Sequence, residues 1–236
     1  MPPRIRPLVD GSVKPLFLWC MHCQKHCARK YTRYADRPFE IDCHFSGNGS
    51  ILCYKCSGDG AACKSVAAGM LGNGWDYSQI LRWASTFWDE DEVDEEYKWP
   101  EKVRLSVTSA LKHLNSAFSI TEKVHQRAHA LASDDQEVMA TYRTFVEQRR
   151  RLLVQLPVPD EHEGEDEWDS YESSRLLRLL PGDPGYVLWM VALRAFRGAI
   201  EDAISNCAVL RGLNEVAGRE LVDGVMGWFP VACEDI

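Results

Sequence analysis

Residues 101–118, EKVRLSVTSALKHLNSAF, decide the class of the fold. Val103, Val107, Leu111, Leu114 and Phe118 recur at steps of 4, 4, 3 and 4, which places them on one face of a helix. The faces between them carry Lys, Arg, Ser and His, so the helix is amphipathic and needs a partner to cover its apolar side. The stripe continues less regularly through Val124, Ala128 and Leu131. Ser133-Asp134-Asp135 then reads as a turn and a new N-cap. A second helix follows, marked by Val138, Tyr142, Phe145, Leu152 and Leu156 and closed by Pro157 and Pro159. The two helices are expected to form an antiparallel hairpin.

Working outward from this pair, residues 157–172 (PVPDEHEGEDEWDSYE) are acidic with no apolar period and read as a solvated linker. Trp168 and Tyr171 within it leave room for a docking segment. Ser174 to Leu180 reads as a short helix stopped by PGDPG. Residues 186–210 are so apolar that they are expected to form the central, most buried helix. Residues 214–226 give the last helix. On the N-terminal side, Asp76 with Gln79 three residues on fits a capping box, followed by Ile80, Leu81, Trp83, Ala84, Phe87 and Trp88. These aromatic residues are expected to pack the head of the chain onto the helical body rather than stack bases. Nothing reads as alternating strands. The expected fold is mainly α: a small irregular metal-stapled module, residues 1–75, packed on an α-helical bundle, residues 76–236.

Composition sets the outer limits. The chain has 236 residues, 45% hydrophobic and 26% charged, which fits a globular protein and neither a collagenous nor a disordered one. No apolar run approaches membrane-spanning length, so no membrane role is expected. The start has no secretory h-region, and the Asn48-Gly49-Ser50 sequon is therefore read as chance. The formal net charge is −8, yet residues 1–64 carry 10 Lys/Arg against 5 acids, leaving the remainder at −13. A basic head on an acidic body suits contact with nucleic acid; equally, the basic residues offset the charge of metal-bound thiolates.

Nine cysteines are present, seven of them between Cys20 and Cys63. In a chain without a secretory signal, such density points to a metal rather than to disulfides. Cys20-x2-Cys23 and Cys53-x2-Cys56 are knuckles, in which a two-residue gap lets both thiolates reach one ion. Cys43 and Cys63 complete a set of six. Cys27, His26 and His44 are alternative ligands for the position between the knuckles. The expected cofactor is zinc, one or two ions. Cys207, in an apolar helical stretch, reads as a buried small hydrophobe.

The spacing Cys53-x2-Cys56-x6-Cys63 resembles the latter half of the fungal binuclear zinc cluster, in which six cysteines hold two zincs. Cys20-x2-Cys23 matches the start of that family's first half; its third cysteine departs, because Cys27 comes too early and Cys43 too late. The full set also resembles a looser group of fungal proteins with an expanded first half and a following segment like GMLGNGWDYSQILRW. The resemblance covers about residues 15–90. It implies a nuclear zinc-cluster protein whose basic residues between the second and third cysteines, here Lys25, Arg29, Lys30 and Arg33, contact DNA.

Other features read more plainly. His125 and His129 are four apart on a helix but lack a third ligand, so a solvated or hydrogen-bonded surface pair is expected. Arg149-Arg150-Arg151 complements a helix C-terminus. There is no G-x-S-x-G, phosphate loop, Ser/His/Asp set or carboxylate pair in a catalytic context, and no enzyme activity is expected. The broken first-half spacing and the acidic body favour a regulatory or interaction protein that binds a protein partner, possibly a second copy of itself, in the nucleus rather than the cytoplasm; DNA or chromatin binding is the alternative.

Overall fold

The structure is a computed structural model, which describes residues 12–15, 17–31, 37–45, 52–89, 98–132 and 135–231. Within them the chain forms eight α-helices: α1 (Met21–Lys30), α2 (Tyr54–Asp59), α3 (Leu71–Ser85), α4 (Glu101–Ala128), α5 (Gln136–Arg150), α6 (Glu165–Ser174), α7 (Tyr186–Leu210) and α8 (Glu215–Met226). Among the described residues β structure is limited to isolated bridges, Val13 with Phe45 and Phe45 with Cys53. The mainly α fold with a cysteine-rich N-terminal cluster is as expected.

The apolar stripe of α4 is buried along its length: Val103, Val107, Leu111, Leu114 and Phe118 all face the core. Its long partner is α7, not α5. On α7, Trp189, Leu193, Phe196, Ile200, Ala203, Ile204 and Cys207 are buried, a 4-3-4-3-1-3 series that forms the facing stripe. Such a long apolar stripe offers more burial than α5, whose buried residues are Tyr142 and Val146. The expected α4–α5 hairpin therefore reduces to an end contact, where Tyr142 meets His125 and Phe145 meets His129. The turn between them uses Ala130 at φ 52°, and α5 starts as expected at Asp135, whose carboxylate accepts from the Glu137 N–H at 2.8 Å. Nor is α7 buried all round: Val187, Val191, Val209 and Leu210 are exposed, and α4 shares the central position. α8 packs on α7, with Met226 buried.

An aromatic column ties the N-terminal module to this pair. Trp19 stands edge-on to Tyr77 of α3 and Phe118 of α4, with ring centroids 5.6 and 5.7 Å apart. Tyr77 stacks on Phe118 at 4.6 Å, and Phe118 meets Trp189 of α7 at 5.3 Å. The polar edges are satisfied: the Trp19 indole donates to Ser78 Oγ at 3.1 Å, and the Tyr77 hydroxyl donates to Asn115 Oδ1. At the far end Trp83 packs against Phe87, Phe196 and Phe229. Module and body thus share one continuous core.

Three local readings are corrected. α3 begins at Leu71, so Asp76 lies inside the helix and caps nothing; it is held by Arg178 instead. A domain boundary drawn at 75/76 would cut this helix. The acidic stretch 157–172 is not all linker, because Glu165–Ser174 forms α6. Three acids in its first turn favour the helix through its dipole although it buries nothing. Residues 175–180 are not a helix but a strap across α3. Leu177 and Leu179 are buried beneath it, the Leu177 carbonyl accepts from Gly72 N–H at 2.7 Å, and the Leu179 N–H donates to Asn73 Oδ1 at 2.9 Å. The strap thereby satisfies one of the orphan donors at the start of α3. Gly72 permits the approach, since a Cβ there would lie 3.0 Å from the carbonyl oxygens of both Leu176 and Leu177.

Candidate metal centre

The two knuckles are built alike. Cys20 is the N-cap of α1, and its Sγ accepts from the Cys23 N–H at 3.3 Å. Cys53 is the N-cap of α2, and its Sγ accepts from the Cys56 N–H at 3.4 Å. The backbone N–H of Cys20 points at Cys43 Sγ and that of Cys53 at Cys63 Sγ, each at 3.4 Å. Each half is therefore a cysteine-capped helix start with a third sulfur brought in behind it. Amide dipoles and a helix N-terminus aimed at a sulfur stabilise thiolate. The halves differ in what separates the second and third cysteines: a ten-residue helix and a further excursion in the first, a six-residue helix ending at left-handed Gly60 in the second.

The halves interlock. Cys20 Sγ lies 3.7 Å from Cys53 Sγ and 3.4 Å from Cys56 Sγ, and Cys23 Sγ lies 3.5 Å from Cys53 Sγ. Four thiolates held tetrahedrally at about 2.3 Å from an ion stand ~3.8 Å from one another. These separations are thus of the size a metal centre demands. Two groups of four satisfy it among the described residues: Cys20, Cys23, Cys43 and Cys53, and Cys20, Cys53, Cys56 and Cys63, with the ligand atoms of each group within 4.8 Å of one another. Cys20 and Cys53 belong to both. The arrangement is two four-sulfur cages sharing an edge.

Charge makes the case for a cation. Burial and sulfur-to-sulfur hydrogen bonding raise Cys23, Cys43 and Cys56 above the ordinary thiol range, and burial pushes Cys63 up to about 11. Cys20, which accepts from Cys23 and Cys43, is the one pulled down. A divalent ion inside a cage opposes the upward shifts, because it favours the thiolate form of each sulfur it touches. No ring nitrogen belongs to either group.

The alternative ligands lie beside the cages. Cys27 Sγ accepts from the Asp42 N–H at 3.3 Å, and burial raises its thiol. His44 Nε2 pairs with Asp42 at 2.9 Å. His26 stacks on His22, which bonds Asp59 at 3.1 Å. Of the basic residues, Lys25 turns toward the buried Glu122 of α4 at 3.6 Å. Its neighbour Gln24 is buried, donating to the Asn115 carbonyl at 3.3 Å and accepting from Ser119 Oγ at 2.9 Å. Arg29 and Lys30 are exposed at the end of α1. Arg33, the Asn48 sequon and Cys233 lie outside the described residues.

The His125–His129 pair is no surface feature. His125 is buried, and its Nε2 meets the Tyr142 hydroxyl at 2.9 Å. That hydroxyl also accepts from the Gly69 N–H at 2.9 Å, which ties α4, α5 and the segment before α3 together at this point. His129 packs on His125 and Phe145. Sequence reasoning missed this because the covering residues, Gly69 and Tyr142, come from distant segments. Burial lowers His125 from 6.5 to about 4. Between those values the unfolded chain takes up a proton that the folded one refuses. This contribution to stability is complete above pH 6.5 and falls away as the pH drops toward 4, by on the order of 2–3 kcal/mol. Urea unfolding from pH 7 to 4 should show a shallower slope in His125→Gln than in wild type; equal slopes would count against it.

Among the described residues no helix is long and apolar enough to cross a membrane. Compared with protein-family models, curated proteins and solved structures, the chain matches none.

Proposed function

We propose that the chain is a zinc-stabilised regulatory or interaction protein, in which two zinc ions staple the N-terminal module and the helical body binds a protein partner. The observation that carries the zinc reading is the pair of four-sulfur groups sharing Cys20 and Cys53. All-thiolate tetrahedral donors suit zinc, and four sulfurs per ion leave no open position for a catalytic water. Preference for a protein partner rests on how α1 is used. Its inner face is committed to α4 through Gln24 and Lys25, so the metal module is part of the body rather than a free reading head.

Exposed Arg29 and Lys30 favour a second reading, a nuclear DNA- or chromatin-binding protein. Metal analysis of freshly purified protein should give two zincs per chain; none would overturn the central claim. A titration against random duplex DNA separates the readings. Binding that falls steeply with salt supports the second, and its absence supports the first.

A further inference from the structure

A second strap, residues 151–160, RLLVQLPVPD, leaves α5 in a turn at Arg151 and Leu152 and continues over the surface without regular secondary structure. Leu153 turns inward to the small cluster of Tyr142, Val146 and Leu177. The strap's other apolar side chains are open to solvent: Leu152 is 77% exposed, Val154 87%, Leu156 46% and Val158 66%. Four exposed branched apolar residues within seven positions call for a cover.

Backbone pairing is not what the strap offers. Pro157 and Pro159 have no N–H to donate, and the Leu156 N–H is already taken by Ser174 Oγ at 3.2 Å. What remains is the row of side chains.

The two ends carry opposite charge. At the α5 end an open groove of about 1060 Å³ is rimmed by Lys64, Arg143, Arg150 and Arg151, with Glu147 its single acid. At the other end a groove of about 450 Å³ between the strap and α6 is rimmed by Asp160, Glu163, Asp166 and Glu167, with no cation.

We propose that the strap is the interface of a homodimer. A second copy turned through a two-fold axis near Gln155 lays its strap antiparallel on the first. The basic end of each copy then meets the acidic end of the other, and Leu152, Val154, Leu156 and Val158 are covered by their counterparts. One surface patch serves both copies, as a closed two-fold contact requires. The proposal rests on the reading of the body as a protein-binding surface, and names a second copy as that partner.

Sedimentation of the zinc-loaded full chain, with reductant present to exclude disulfides, tests it. Wild type should show twice the 26.8 kDa chain mass at micromolar concentration, with dissociation promoted by salt. Val154→Asp, at the most exposed position, should weaken the dimer by more than about tenfold. The double variants Arg150→Glu/Arg151→Glu and Asp160→Arg/Glu163→Arg should each be monomeric, since each juxtaposes like charges twice. Mixed together they should recover a heterodimer, in which both contacts are complementary. A wild-type chain that stays monomeric to about 100 μM, or charge variants that dimerise alone as well as mixed, would overturn it. Either result leaves a different protein partner untouched, because the metal and DNA measurements address that reading separately.

Discussion

Cys53→Ser is expected to cost the protein both metal ions, whereas Cys63→Ser should cost only one. The difference follows from membership: Cys53 belongs to both four-sulfur groups, and Cys63 to one. A serine hydroxyl at Cys53 stays protonated and is a poor ligand for a soft-donor site, so each cage loses its fourth sulfur. It also removes the sulfur that caps α2 and accepts the Cys56 N–H. Cys20→Ser should behave like Cys53→Ser, and Cys43→Ser like Cys63→Ser. Cys27→Ser should keep both ions, since its sulfur stands outside both cages. Structural zinc in small modules is worth on the order of 10–16 kcal/mol of apparent binding free energy, so emptying both cages should unfold the module rather than loosen it. Native mass spectrometry counts the ions, and the near-ultraviolet signal of Trp19 reports the module. If Cys53→Ser keeps one tightly bound ion, the edge-sharing arrangement is wrong.

Arg178→Ala should destabilise the body by about 2–4 kcal/mol. Asp76 lies within α3, where burial pushes its carboxyl up and the Arg178 guanidinium opposes that push. Arg178 holds both carboxylate oxygens, with Nε 2.9 Å from one and Nη2 2.8 Å from the other, while Nη1 donates to the Ser173 carbonyl at 3.0 Å. Truncation leaves a desolvated carboxylate without its partner, which costs more than the pair itself contributes. Arg178 is a third exposed, so the effect falls below that of a fully buried pair. It also unfastens the strap from α3. Denaturant midpoints measure the loss, and adding Asp76→Asn should recover part of it by removing the stranded charge. No recovery would locate the cost in the strap rather than in the charge.

The parts of this fold that could be read from the sequence are those where one segment carries its own signal. The 4-4-3-4 stripe of α4 survives intact because a helix face is set by local spacing. The knuckles are equally local, and the third sulfur of the second half stands six residues behind its knuckle. For the third ligand of the first half the sequence puts Cys43 first, with Cys27, His26 and His44 as alternatives. Excursion length does not say which donor returns, and only the meeting of Cys43 with the Cys20 amide selects it. Two of the misreadings share one cause, a partner far away in the sequence. Asp76 looked like a cap because its partner, Arg178, lies 102 residues away. His125 looked solvated because Tyr142 and Gly69 cover it from elsewhere. The helical part of the stretch 157–172 reads as linker for another reason: an acidic helix that buries nothing has no apolar period.

The attachment of α1 to α4 has a consequence for synthesis. The last cage sulfur is Cys63, but the surface that receives α1, from Asn115 to Glu122, lies more than fifty residues further on, and α7 later still. At about 5–20 residues per second, a ribosome exposes the cage ligands several seconds before their docking surface. For that interval the module must rely on its own six sulfurs. If the proposed ions fill the cages, they hold the module together before its docking surface exists, and withholding metal during translation should lower the yield of folded chain.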